Sequence, residues 1–113
     1  MFENLFVAKK YRDIDPQDVK ERLDADENLF LVDVRSPEEY EEYHIPNSIS
    51  IPLNVLKTEI AKAAPDKDAE IIVYCLSGRR AAAACGMLAE MGYRSVSNMG
   101  GILSWRYQTV RGR

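Results

Sequence analysis

The stretch Glu70-Ile71-Ile72-Val73-Tyr74-Cys75 constrains this chain more than any other. β-Branched and aromatic side chains suit a pleated surface, and an apolar run without alternation suits a strand covered on both faces. Such strands occur in parallel sheets, whose crossover connections lay helices over both sides. The run gives way to Leu76-Ser77-Gly78-Arg79-Arg80. A helical pattern then extends from Arg80 to Met91, with Ala84, Leu88 and Met91 on one face and Gly92 just beyond its end.

The remaining punctuation repeats this alternation. Asp15-Pro16 reads as a helix start, with Asp15 as the cap, and Val19 and Leu23 lie on one face. Leu29 to Val32, ending in Asp33, reads as a buried strand. Ser36-Pro37-Glu38-Glu39 is a stronger helix start, in which Ser36 caps and Glu39 closes a capping box. Ser48 to Ile51 alternates like a short strand. Leu53, Leu56 and Ile60 recur at helical spacing before Pro65. Ser95 to Ser97 reads as a strand, Gly100-Gly101 as a turn, and Ile102 to Tyr107 as a closing helix. The expected fold is α/β: a central, mainly parallel sheet flanked by helices on both sides. The expected organisation is a single domain over residues 1–113 with its core at about 14–107, since a chain of this length supports one hydrophobic core. Ligands in such sheets bind beyond the carboxyl ends of the strands.

Composition narrows the function. A net charge of −3 argues against a general nucleic-acid binder, whose footprint is a basic excess. The charge is unevenly spread: residues 1–56 hold 13 acids against 6 lysines and arginines, and residues 57–113 hold 5 against 9. An anion site therefore belongs in the second half. The longest apolar run, Ile71 to Leu76, is far short of the about 20 residues that span a membrane, so no membrane association is expected. Met1 to Phe6 carry an early acid and no basic segment, so no secretory leader is expected either. Two cysteines and one histidine do not supply a four-ligand zinc site, and reduced thiols in a cytoplasm are the default. No metal and no organic cofactor are expected.

The chemistry points to Cys75. It sits where the chain leaves a strand and turns into a helix, whose first N–H groups have no internal partners and whose dipole is positive at that end. Gly78 permits a left-handed turn, so that successive N–H groups converge as an anion nest. Arg79 and Arg80 add cationic donors. Together these favour negative charge on the sulfur and make Cys75 a nucleophile without a histidine base.

Ile71 to Arg80, with Cys75-Leu76-Ser77-Gly78-Arg79-Arg80 at its end, resembles the active-site loop of the rhodanese family, a strand followed by Cys-x-x-Gly-x-Arg and a helix. Leu31-Val32-Asp33-Val34-Arg35 followed by Glu39-Tyr40 is similar to the family's first motif, and His44-Ile45-Pro46 with Ile51-Pro52 to its second. Gly92-Tyr93, Gly100-Gly101 and Trp105 resemble the end of the domain. The resemblance covers roughly Ile14 to Trp105. It implies a sulfurtransferase in which Cys75 takes sulfane sulfur from a small anionic donor such as thiosulfate and passes it to cyanide or a thiol, including one on a partner protein. It implies that the N–H groups of Leu76, Ser77, Gly78, Arg79 and Arg80 stabilise a persulfide and that Arg79 and Arg80 hold the donor. The sequence departs from the common pattern at Tyr43 and Asn47, where glycine is frequent, and at Ala81, where serine is frequent.

Two other readings compete. Cysteine phosphatases and arsenate reductases resemble Cys-x5-Arg, and here the residue six after Cys75 is Ala81. A non-catalytic binding module on the same fold is the second, since fold does not dictate function. Outside the loop, Asp33 and Arg35 stand near the expected pocket and read as a structural network with Glu38 or Glu39, with pocket support as the functional alternative. Cys85 reads as core packing, His44 as a structural hydrogen-bonder, Trp105 and Tyr107 as core, Glu38 to Glu42 as a solvated face, and Arg111 to Arg113 as a frayed tail.

Overall fold

A computed structural model describes residues 9–113; the leader expectation for Met1 to Phe6 lies outside them. Among the described residues five strands form one parallel sheet: β1 (Arg12–Asp13), β2 (Phe30–Asp33), β3 (Ile49–Ser50), β4 (Glu70–Cys75) and β5 (Ser95–Gly101). Their spatial order is β1-β5-β4-β2-β3, so β4 is central. The crossovers carry α1 (Pro16–Asp24), α2 (Pro37–Glu42), α3 (Leu56–Ala63) and α4 (Arg79–Glu90).

Alternation along β4 divides the core. Ile71, Val73 and Cys75 join Leu56 and Ile60 of α3 and Ala81, Ala84, Cys85 and Leu88 of α4. Ile72 and Tyr74 face the other way, toward Val19 of α1, Ile45, Met99, Ile102 and Trp105. Both layers exclude water from β4, which is why its sequence shows no polar alternation.

Local signals account for the helix starts. At α2, Ser36 Oγ accepts from the Glu39 N–H (3.2 Å) while Glu39 Oε1 accepts from the Ser36 N–H (3.0 Å), completing the capping box. Asp15 stands at the cap of α1 but its side chain makes no cap hydrogen bond; Pro16 at the first position supplies the helical φ instead. Asn47 adopts φ 73°, the left-handed conformation in which asparagine replaces glycine at low cost. Tyr43 lies in extended backbone, φ −168°, where no glycine is needed.

Three expectations are corrected. Gly100-Gly101 is no turn: β5 runs through both, after a bulge that leaves Gly100 opposite Tyr74 and Gly101 opposite Cys75. The reason is proximity, because a Cβ on Gly101 would stand 2.1 Å from the Leu76 carbonyl oxygen. The closing helix is a single 3-10 turn, Ile102–Ser104, followed by extended backbone at Trp105. The tail is not frayed. Val110 and His44 exchange backbone hydrogen bonds of 2.8 and 2.9 Å, and the Gly112 N–H donates to the Glu41 carbonyl at 2.8 Å.

Candidate active site

The site is the step from β4 into α4. Gly78 caps α4 at φ 114°, a conformation that side-chain-bearing residues rarely adopt. Having no side chain, it cannot accept from the helix's first N–H groups. Cys75 Sγ takes that place. It accepts from the Gly78 N–H at 3.0 Å and from the Ala81 N–H, at the third helical position, at 3.3 Å. A cap side chain usually satisfies one of these orphan donors. Here a sulfur from the preceding strand does so, and two N–H dipoles complement negative charge on it. Cys75 is 1% exposed, so the donors act where little water competes.

Ala81 was not among the residues the sequence pointed to. Its contribution is a backbone N–H, which has no signature in residue type, and serine's hydroxyl is not needed for it. Leu76 and Ser77 form the bend before Gly78. The Leu76 carbonyl accepts from the Leu103 N–H at 3.2 Å, anchoring the bend to the chain beyond β5.

The two arginines differ. Arg79 is exposed and makes no ion pair among the described residues. Arg80 is half-buried and forks onto Glu39: Nη1 donates to Oε1 (2.7 Å) and Nη2 to Oε2 (3.0 Å). The guanidinium holds the Glu39 carboxyl down at about 2, with lesser help from the Ser36 cap bonds. Glu39 therefore belongs to the loop's surroundings and not to a merely solvated face, whereas Glu38, Glu41 and Glu42 are exposed.

Asp33 and Arg35 form a buried pair at the carboxyl end of β2. The aspartate accepts from the Arg35 backbone N–H (2.9 Å), from Nε and from Nη2 (2.7 Å), and Nη2 also donates to the Tyr43 carbonyl (2.7 Å). The guanidinium lies near the rings of Tyr43 and Tyr74. The pair is a structural network, but with Tyr43 in place of the expected Glu38 or Glu39. His44 is committed as well: Nδ1 donates to the Tyr40 carbonyl at 2.7 Å and the ring stacks on Tyr40. Cys85 is fully buried, and burial pushes its thiol up to about 12. Both cysteines are free thiols. Trp105 is buried and donates through Nε1 to the Gln108 carbonyl, while Tyr107 packs edge-on against it and remains partly exposed.

A central parallel strand that delivers a cysteine sulfur to the N-terminus of the next helix defines a class of α/β proteins built around a cysteine nucleophile. Comparison with known proteins narrows the class. The profile of the rhodanese-like domain matches residues 15–108. The thiosulfate sulfurtransferase PspE of Escherichia coli is 43% identical over 81 residues, covering 72% of this chain and 78% of that protein. The putative sulfurtransferase YtwF of Bacillus subtilis is 35% identical over 98 residues, covering 87% of this chain and 93% of its own. A solved structure of a rhodanese with anions from E. coli is 42% identical, with a TM-score of 0.70 over 74% of this chain and 98% of that one. The chain belongs to the rhodanese-like domain family.

Proposed function

We propose that this protein is a sulfurtransferase that carries sulfane sulfur as a persulfide on Cys75, taking it from a small anionic donor such as thiosulfate. The supporting observation is the convergence of the Gly78 and Ala81 N–H groups on Cys75 Sγ. In the first half-reaction the Cys75 thiolate attacks the outer sulfur of thiosulfate. The sulfur–sulfur bond of the donor breaks, sulfite leaves with its electron pair, and a Cys75 persulfide remains. In the second, cyanide or a thiolate attacks the outer persulfide sulfur. Thiocyanate or a new persulfide departs, and the Cys75 thiolate returns. No proton need be moved at the sulfur, and the electrons balance between donor and acceptor, so the cycle calls on neither a general base nor an external oxidant or reductant.

The loop N–H groups from Leu76 to Arg80 bind the persulfide and the leaving sulfite, as oxyanion donors do. Arg79 supplies positive charge for the anionic donor, and Arg80 stands beside it in its ion pair with Glu39. Asp33 and Arg35 support the pocket from the end of β2. Residues 1–113 act as one domain with its core at about 14–107. The two free thiols fit a reducing, cytoplasmic setting. Among the described residues no helix is long and apolar enough to cross a membrane. Acceptor identity rests on chemistry alone: a thiophile small or extended enough to reach a buried sulfur, including a cysteine of a partner protein.

Steady-state kinetics with thiosulfate and cyanide test the reading. Parallel double-reciprocal lines, together with loss of turnover in a folded Cys75→Ser variant, are expected. Intersecting lines or turnover retained by Cys75→Ser would overturn it.

A further inference from the structure

We infer that Glu39 is a positioning residue for the sulfur-carrying loop, neutralising Arg80 and pinning it to the start of α2 so that Arg79 is the cation that recruits the anionic donor. The inference deepens the persulfide reading and rests on it.

The geometry carries the argument. Glu39 and Arg80 are 41 residues apart and meet in a two-pronged ion pair, the arrangement that gives both strength and direction. Glu39 Oε1 is shared: it also accepts the Ser36 N–H at 3.0 Å, while the Glu39 N–H donates to Ser36 Oγ. One carboxylate thus caps α2 and anchors the first turn of α4. Arg80 lies between the two residues whose N–H groups reach Cys75 Sγ, Gly78 and Ala81. Moving the Arg80 anchor moves the Ala81 donor next to it. Arg79 has the opposite character, being exposed and without an ion pair among the described residues. Adjacent arginines on one helical turn therefore do different work. One is a neutralised strut, and the other is an exposed charge on the same turn.

The charge division is read at Cys75 by comparing alkylation with iodoacetate, an anion, and iodoacetamide, its neutral counterpart. The ratio of the two rates reports local positive charge and does not require sulfur transfer. Glu39→Gln releases the Arg80 charge, and the ratio should rise about threefold, the effect of one unit charge several ångströms away in water-like surroundings. Arg80→Gln leaves the Glu39 charge uncompensated and should lower the ratio by a similar factor. Arg79→Gln should also lower it. The double variant Glu39→Gln/Arg80→Gln should return it to within about 1.5-fold of the native value. A loosened fold would not produce this reversal, because it would alter both reagents alike. With thiosulfate as donor, Glu39→Gln should lower KM and lower kcat together, since the freed guanidinium attracts the donor while the loop loses its anchor.

An unchanged ratio in Glu39→Gln, or a double variant that does not revert, overturns the inference. If Glu39→Gln does not fold, Arg80→Gln alone decides: an unchanged ratio refutes the neutralised pair. Failure of thiosulfate to load the native protein would instead refute the persulfide reading, and the alkylation ratios would still stand as measured.

Discussion

Gly101→Ala perturbs the Cys75 loop without touching any side chain in it. Gly101 pairs with Cys75 in the sheet, and its missing Cβ leaves room for the backbone of the bend. An alanine Cβ would stand 2.1 Å from the Leu76 carbonyl oxygen, 2.6 Å from Ser77 Cα and 2.7 Å from the Leu76 carbonyl carbon. Carbon–oxygen contacts normally begin near about 3.3 Å, so the bend or β5 must retreat by about 1 Å. The obstructing atoms are backbone, and no rotamer change relieves them. Overpacking of this kind costs about 2 kcal/mol, or roughly 8–12 °C in Tm for a domain of this size. The effect on transfer should be larger, because a displacement of about 1 Å at reacting atoms costs about 100-fold in rate. Gly86→Ala is the matched control. It lies in α4 with nothing within 4 Å of its Cβ position, and it should gain about 0.5–1 kcal/mol with transfer unchanged. Thermal unfolding and thiocyanate release measured on both variants provide the check. Gly101→Ala protein with native Tm and transfer within twofold of native would refute the close-approach argument.

Other outcomes follow from the same geometry. Native protein should be alkylated at Cys75 before Cys85, because two N–H groups complement negative charge on the Cys75 sulfur while burial pushes the Cys85 thiol up to about 12; peptide mapping that finds Cys85 modified first would contradict this division. Cys85→Ala should leave transfer within about twofold and cost about 1 kcal/mol of stability. The Glu39 carboxyl is held near about 2 against an ordinary 4.5, so its stabilising effect is complete above pH 4.5 and is lost as pH falls toward 2. The Tm difference between native protein and Glu39→Gln should accordingly close across that interval, and a constant difference would show that the ion pair is not its source. Asp33→Ala strands the 99% buried Arg35 guanidinium and should cost about 3–5 kcal/mol in urea unfolding, whereas a loss under 1 kcal/mol would mean that Arg35 finds another partner.

What the sequence revealed and what it concealed divide along physical lines. The central strand, the helix after Gly78 and the capping box at Ser36 were all legible. Each is governed by residues within a few positions of one another. Cys75 was legible for the same reason, since strand, glycine and arginines adjoin it. Contacts made across the fold were not. Nothing near Glu39 announces that it meets Arg80 41 residues later, so the acid run read as a solvated face. Gly100-Gly101 carries the composition of a turn, and only the neighbouring bend shows that the glycine serves close approach inside a strand. β1, two residues long at the sheet edge, has too few side chains to form a pattern. The closing segment Ile102 to Tyr107 is apolar enough for a helix, but Trp105 is drawn into the core and only one turn forms. The Ala81 N–H was invisible because a backbone donor leaves no trace in residue identity.

The central claim is that Cys75 carries sulfur covalently. Intact-mass measurement of the reduced protein after brief exposure to thiosulfate, repeated after cyanide, tests it most directly. The account predicts a gain of one sulfur atom, localised to Cys75, and its removal by cyanide with release of thiocyanate. Thiosulfate turnover with no sulfur gained on Cys75, or a sulfur gained equally by Cys75→Ser protein, would contradict it.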